Sequence, residues 1–224
     1  MKLSSLAHKL HGAFAEPGCP VCRLTADSVH HYLGSLIYEY VNKVPTHMAI
    51  RAARGFCTNH AWHALEQITP SHLGIAILYE GLVRNMLKDM GEITPNSGRR
   101  QVNQAAKALK SQAECPACTH RATVEDQLLR NLLEHIDQPE FAEAYEQSAG
   151  VCLHHLRMGL DQSGYNAEKA QLVALQQTIW GKLQHHLAEY IRLSDERYAE
   201  EDMGEPGTSP RRAIEQMAGK KNLW

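Results

Sequence analysis

Apolar positions recur at steps of three and four along almost the whole chain, and the period-two alternation of a half-buried strand is scarce. Between residues 20 and 42, Val29, Leu33, Leu36, Ile37 and Tyr40 form one stripe, with Leu24, Ser28, His31 and Ser35 on a neighbouring line. The spacing predicts a long helix from about 20 to 42, ended by Pro45. A shorter helix then leads to Gly55, another covers about 57–67, and "SHLGIAILYEGLVRNMLKDM" (71–90) makes a long amphipathic fourth with Ser71 as its N-cap. The second half repeats this order. "GEITPNSGRR" (91–100) gathers glycine, proline, asparagine and serine and reads as the linker between halves. "EEDMGEPGTSP" (200–210) is a polar loop, and "RRAIEQMAGKKNLW" reads as a terminal helix docking through Ile214, Met217 and Trp224. The expected fold is all-α, a tandem-duplicated helical bundle.

The duplication is visible at the residue level. CPVC (19–22) returns as CPAC (115–118), and GFCTNH (55–60) returns as GVCLHH (150–155). "SLIYEY" (35–40) faces "NLLEHI" (131–136), and "ALEQ" (64–67) faces "GLDQ" (159–162). Residues 1–92 are therefore read as the first helical repeat, 93–200 as the second, and 201–224 as a tail with a short helix.

Each repeat carries Cys-x2-Cys, then Cys-x2-His. Proline favours the first helical position, so the first cysteine of each CPxC falls near an N-cap and the second near the third helical residue. Both thiols face the positive end of a helix dipole, which favours the thiolate that binds metal or attacks a disulfide. The Cys and His of GFCTNH and GVCLHH also lie three apart at a helix start and project from one face. Cys19, Cys22, Cys57, His60, Cys115, Cys118, Cys152 and His155 thus make two sets of three sulfurs and one nitrogen. Cys3His is a closed tetrahedral zinc set, two ions per chain, and it also suits iron–sulfur ligation with one histidine. The expected grouping is within each repeat, since a duplicated unit works before duplication. The crossed grouping, in which Cys19 and Cys22 meet Cys152 and His155, stands as its competitor.

Composition narrows the partners. The 224 residues carry a net charge of −2 with signs interspersed, no basic field for nucleic acid and no apolar run long enough for a membrane span. His8, Lys9 and His11 interrupt any signal-peptide core, so the chain is expected in the cytoplasm, where six cysteines serve as metal ligands or reactive thiols rather than disulfides. Without repeated spacing, His30, His31, His63, His72, His135, His185 and His186 read as solvated or partly buried side chains, and His154 as a neighbour of a ligand. Trp62, Trp180, Tyr38 and Tyr40 read as core. Glu39 and Glu80, set in apolar stretches, are either partners of metal-bound histidines or surface residues.

CPVC with "LIYEYVN", then "RAARGFCTNHAW", "LGIAILYEGL" and "GEPGTSPRRAIEQMAG", resembles an uncharacterised bacterial and archaeal family of unknown function with repeated CPxC and GFCxxH motifs. The resemblance spans essentially the whole chain. It implies a repeated Cys/His framework and a soluble protein, and no established activity. Three function classes follow: a structural zinc scaffold that engages a protein partner or a second copy of itself, an iron–sulfur protein for electron transfer or sensing, and a CxxC thiol oxidoreductase. Whether the protein is an enzyme is open at this stage.

Overall fold

A computed structural model describes residues 4–68, 72–198 and 200–221. Eleven α-helices and no strand occur among them. The first half runs α1 (Ser5–Ala13), α2 (Pro20–Tyr38), α3 (Val44–Ala53), α4 (Thr58–Glu66) and α5 (His72–Met90). The second half repeats this order as α6 (Arg99–Ala108), α7 (Pro116–His135), α8 (Pro139–Gln147), α9 (Leu153–Leu160) and α10 (Asn166–Leu193), before the terminal α11 (Ser209–Ala218). The duplication thus reaches every element: a short helix, a long one beginning at the CPxC proline, two short ones around a glycine turn, and a long closing helix. The expected Ser71 cap lies outside the described residues, as does Trp224.

The helices gather into two compact units that do not follow the order of the repeats. One contains the chain before Asp27 and from Val124 onward, and the other contains Asp27–Thr123. The long helices α2 and α7 therefore each begin in one unit and continue into the other. In the first unit, Leu10 and Phe14 of the N-terminal segment pack with Leu129, Leu132, Phe141 and Tyr145. Phe14 meets Phe141 edge-on at 5.0 Å between centroids, a favoured aromatic geometry. In the second unit, Val29, Leu33, Leu36 and Ile37 of α2 bury against Ile50, Leu78 and Leu82. The predicted stripe is therefore the buried face, except that the helix stops at Tyr38 and leaves Tyr40 outside it.

Gly74 sets how closely α5 approaches α2. A Cβ at this position would fall 2.4 Å from Ile37 Cγ2 and 2.6 Å from the Ile37 carbonyl oxygen, so only glycine fits. Several side chains expected inside are outside. Trp62 is 55% exposed, and Tyr38 and Tyr40 are nearly half exposed. Trp180 does pack against the first core, with its Nε1 donating to Gln216 at 2.9 Å.

The terminal helix forms where it was expected but docks through a different face. Ile214 is 67% exposed and Met217 is also exposed, whereas Ser209 and Gln216 are buried. Its attachment is polar: Gln216 Nε2 donates to the Ala149 carbonyl at 2.6 Å and its Oε1 accepts from Gln176 and Trp180.

Candidate metal centres

The eight predicted residues come together in two sets of four, and the grouping is crossed. Cys19, Cys22, Cys152 and His155 have their donor atoms within 4.8 Å of one another, as do Cys57, His60, Cys115 and Cys118. The within-repeat expectation is thus corrected, and the reason lies in α2 and α3. α2 runs on from Cys22 to Tyr38 and carries the chain about 24 Å from that cysteine. A return would need an extended segment, but residues 44–53 form α3 and advance only about 15 Å. Cys57 and His60 are left in the unit that α7, not α2, enters with its first turn.

All four motifs share one local geometry. Cys57 and Cys152 are N-caps with extended backbone, φ/ψ −63/164 and −70/163, and their carbonyls accept the first helical bonds from Ala61 and Leu156. His60 and His155 follow at the third helical residue. Cys19 and Cys115 stand immediately before α2 and α7, with carbonyls accepting from Arg23 and Thr119, and the Cys22 amide points at Cys19 Sγ at 3.5 Å. Every set therefore unites two helix N-termini, whose unpaired amides and dipoles favour negative sulfur. The histidines use Nδ1 in both. Nδ1 of His155 lies 3.5, 3.4 and 3.3 Å from Cys19, Cys22 and Cys152, and Nδ1 of His60 lies 3.1, 3.7 and 3.4 Å from Cys57, Cys115 and Cys118. The sulfur pairs Cys22–Cys152 and Cys57–Cys118 stand 3.7 and 3.6 Å apart.

The turn that delivers Cys152 is held by a buried polar network. Gly150 has φ +67, and a Cβ there would fall 2.7 Å from Gln176 Oε1. That oxygen accepts the Val151 amide at 3.1 Å and the Tyr145 hydroxyl, while Gln216 holds the Ala149 carbonyl. Gly55 occupies the same position before Cys57, also with positive φ.

The two sets differ in surroundings. The first is buried throughout; in the second, His60 is buried but Cys57, Cys115 and Cys118 are only half-buried. Glu125, 2% exposed, brings its carboxylate 3.6 Å from His155 Nε2, the position from which carboxylates orient metal-bound imidazoles. The second set has a cation instead, the Arg121 guanidinium, whose charge acts on His60.

Protonation follows these surroundings. Burial, with Cys152 and Cys22 alongside, pushes the Cys19 thiol well up, whereas hydrogen bonds from Cys19 and Cys22 draw Cys152 far down. Burial alone would lower His155, but its bonds to Cys152, Cys22 and Glu125 outweigh this and raise it to about 11. In the second set, burial and then Cys115 and Cys57 push Cys118 up to about 12, while burial, Arg121 and His63 lower His60 to about 4. Without metal, Cys152 is therefore drawn toward the thiolate and His155 toward the imidazolium, whereas Cys118 keeps its proton and His60 stays neutral.

The sequence did not single out Glu125, Arg121 or the Gln176–Gln216 network. Glu125 had a signal: it lies three and four residues before Leu128 and Leu129, on the buried stripe of α7. Glu39 and Glu80 do not approach the sets. Both are exposed, and Glu80 pairs with Arg84 at 3.2 Å. The remaining histidines also lie outside the two Cys/His sets. His30 Nδ1 meets His63 Nε2 at 3.1 Å, His31 donates to the Asp27 carbonyl, His135 donates to the Asn131 carbonyl, and His186 accepts from Arg212. His154 is exposed, with a ring nitrogen near Glu125 and His155.

Two Cys3His groups that could bind metal are therefore established as geometry, on an all-α scaffold. Among the described residues, no helix is long and apolar enough to cross a membrane. No solved structure matches the chain. A curated relative, "Uncharacterized 23.9 kDa protein in xynA 3'region" of Caldicellulosiruptor sp. (strain Rt8B.4), is 26% identical over 186 residues, covering 82% of this chain and 86% of its own. The sequence profile of a family of unknown function, DUF6062, matches residues 1–223, and the chain belongs to that family.

Proposed function

We propose that the protein is a zinc-stapled helical scaffold in which each Cys3His set holds one structural ion. The observation that carries this reading is the spacing of the donors. Bonds of about 2.3 Å to sulfur and about 2.0–2.1 Å to nitrogen give a tetrahedron with edges of about 3.8 Å between sulfurs and about 3.6 Å between sulfur and nitrogen. The sulfur pairs at 3.7 and 3.6 Å and the sulfur–nitrogen distances of 3.1–3.7 Å match those edges around a single ion. An iron–sulfur cluster would place its own irons and sulfides between the thiolates, and donors this close leave room for one ion only. A dithiol oxidoreductase would leave His60 and His155 without a role.

Four protein donors also fill the coordination of zinc, whereas catalytic zinc keeps an open position. The ion would tie two helix N-termini together in each unit, neutralising three thiolates that the helix dipoles already favour. Such a scaffold would act by presenting its surface to a protein partner or to a second copy of the chain.

Elemental analysis of anaerobically purified protein tests the reading. A colourless protein with two zinc ions per chain is expected, losing helicity when a chelator removes them. Stoichiometric iron, with a brown colour and charge-transfer absorption, would overturn it. The His60→Ala variant adds a site-specific check: it should retain the metal of the buried set and lose that of the other.

A further inference from the structure

The two sets have the same donors and the same helix-start geometry, yet they differ in access. In the first, Cys19, Cys22 and Cys152 are 5%, 1% and 0% exposed, and the Glu125 carboxylate stands 3.6 Å from His155 Nε2. In the second, all three cysteines are half-buried and the neighbouring charge is the Arg121 guanidinium. Oxidants attack thiolates that solvent can reach, and burial shields the sulfurs of the first set. A disulfide also needs two sulfurs able to close from contact to about 2.05 Å. Cys57 and Cys118 stand 3.6 Å apart, on the N-terminal turns of two different helices.

We infer that the Cys57/His60/Cys115/Cys118 set is an oxidation site for hydrogen peroxide, at which Cys57 and Cys118 join and the ion is released, while the Cys19/Cys22/Cys152/His155 set stays loaded. The release of an ion rests on the zinc reading above; the choice of cysteines rests on exposure and sulfur spacing alone. The chemistry balances in two steps. One thiolate attacks a peroxide oxygen, the O–O bond breaks, and a sulfenic acid and hydroxide form. The second thiolate attacks the sulfenic sulfur, the S–S bond forms, and a second hydroxide leaves. Two electrons pass from the sulfurs to peroxide. The ion, left with Cys115 and His60 as its only protein donors, dissociates as the dication.

Zinc-loaded full-length protein is titrated with hydrogen peroxide, free metal is read with a chromogenic chelator, and disulfides are mapped by peptide mass spectrometry. One ion of the two is expected to leave, at least roughly tenfold faster than the other, with a Cys57–Cys118 disulfide and restoration by thiol reductant plus zinc. Release of both ions at one rate, release of neither, or a disulfide among Cys19, Cys22 and Cys152 would overturn the inference. A starting content below two zinc ions per chain would instead strike the zinc reading. The disulfide map still decides the inference in that case, because Cys57 and Cys118 should cross-link and the buried cysteines should not, whatever metal the sets hold. The Cys118→Ser variant should start with one ion and show no peroxide-dependent release.

Discussion

At the scale of single residues, the two sites follow from one rule applied four times: a cysteine at the helix N-cap and a donor at the third helical residue. Asymmetry enters through neighbours. Glu125 faces His155, so Glu125→Ala should weaken metal binding at the buried set by about 10–100-fold and leave the other set unchanged, as read by chelator competition. Proton inventory makes a second prediction. Cys19 and Cys118 hold their protons without metal, and His155 is protonated, so loading the metal-free protein with zinc in weak buffer should release protons and acidify the solution. The third concerns the metal-free fold. His60 titrates at about 4 when folded and near its ordinary value of about 6.5 when unfolded, and His63 and His120 are lowered in the same sense. The unfolded chain then binds more protons between those values, so stability should rise as pH increases from about 4 to about 6.5 and fall as pH drops through that window. Denaturant midpoints of the metal-free protein across this range check the sign.

At the scale of elements, the helices were legible because their apolar stripes repeat, and the turns because glycine and proline punctuate them. Helix faces were less so. Trp62 and Ile214 sit at core-like spacing yet face solvent, because short helices with one buried stripe leave apolar residues over, and Tyr38 faces solvent as the last residue of α2. The tail docks through Gln216, a polar residue whose bonds to Ala149, Gln176 and Trp180 no periodicity announces. Gln216→Ala should leave the half-buried Ala149 carbonyl and the Trp180 N–H without this partner and cost about 1–3 kcal/mol, measured by chemical denaturation. Gly74→Ala should cost at least about 1–3 kcal/mol, since its Cβ meets the Ile37 backbone oxygen at 2.6 Å and α5 must move.

At the scale of the whole molecule, the repeat in the sequence and the compact unit in space are different divisions of one chain. Each repeat contributes the CPxC end of its long helix to the unit that holds the other repeat's Cys-x2-His. Residues 1–92 contain Cys19, Cys22, Cys57 and His60 and are a full Cys3His complement by count, but they should not bind one ion tightly. Residues 27–123, with Cys57, His60, Cys115 and Cys118 of the second set, should bind a single ion. Metal titration of the two fragments separates these outcomes, and tight stoichiometric binding by 1–92 would contradict the crossed grouping.

What the sequence determined by itself was local: helices from the 3.6-residue period, the eight Cys and His residues of the two sets from their repeated spacing, and the helix-start setting of each pair from CPxC and GxC. These depend on residues within a turn or two of one another, where a rule of spacing is a rule of geometry. The partnering of the pairs, the burial of one set and the half-exposure of the other, and the charged neighbours Glu125 and Arg121 were decided only by the tertiary structure. They depend on how far α2 and α7 carry the chain and on what α3 leaves unspanned, and two pairs with identical spacing give no local signal of which will meet.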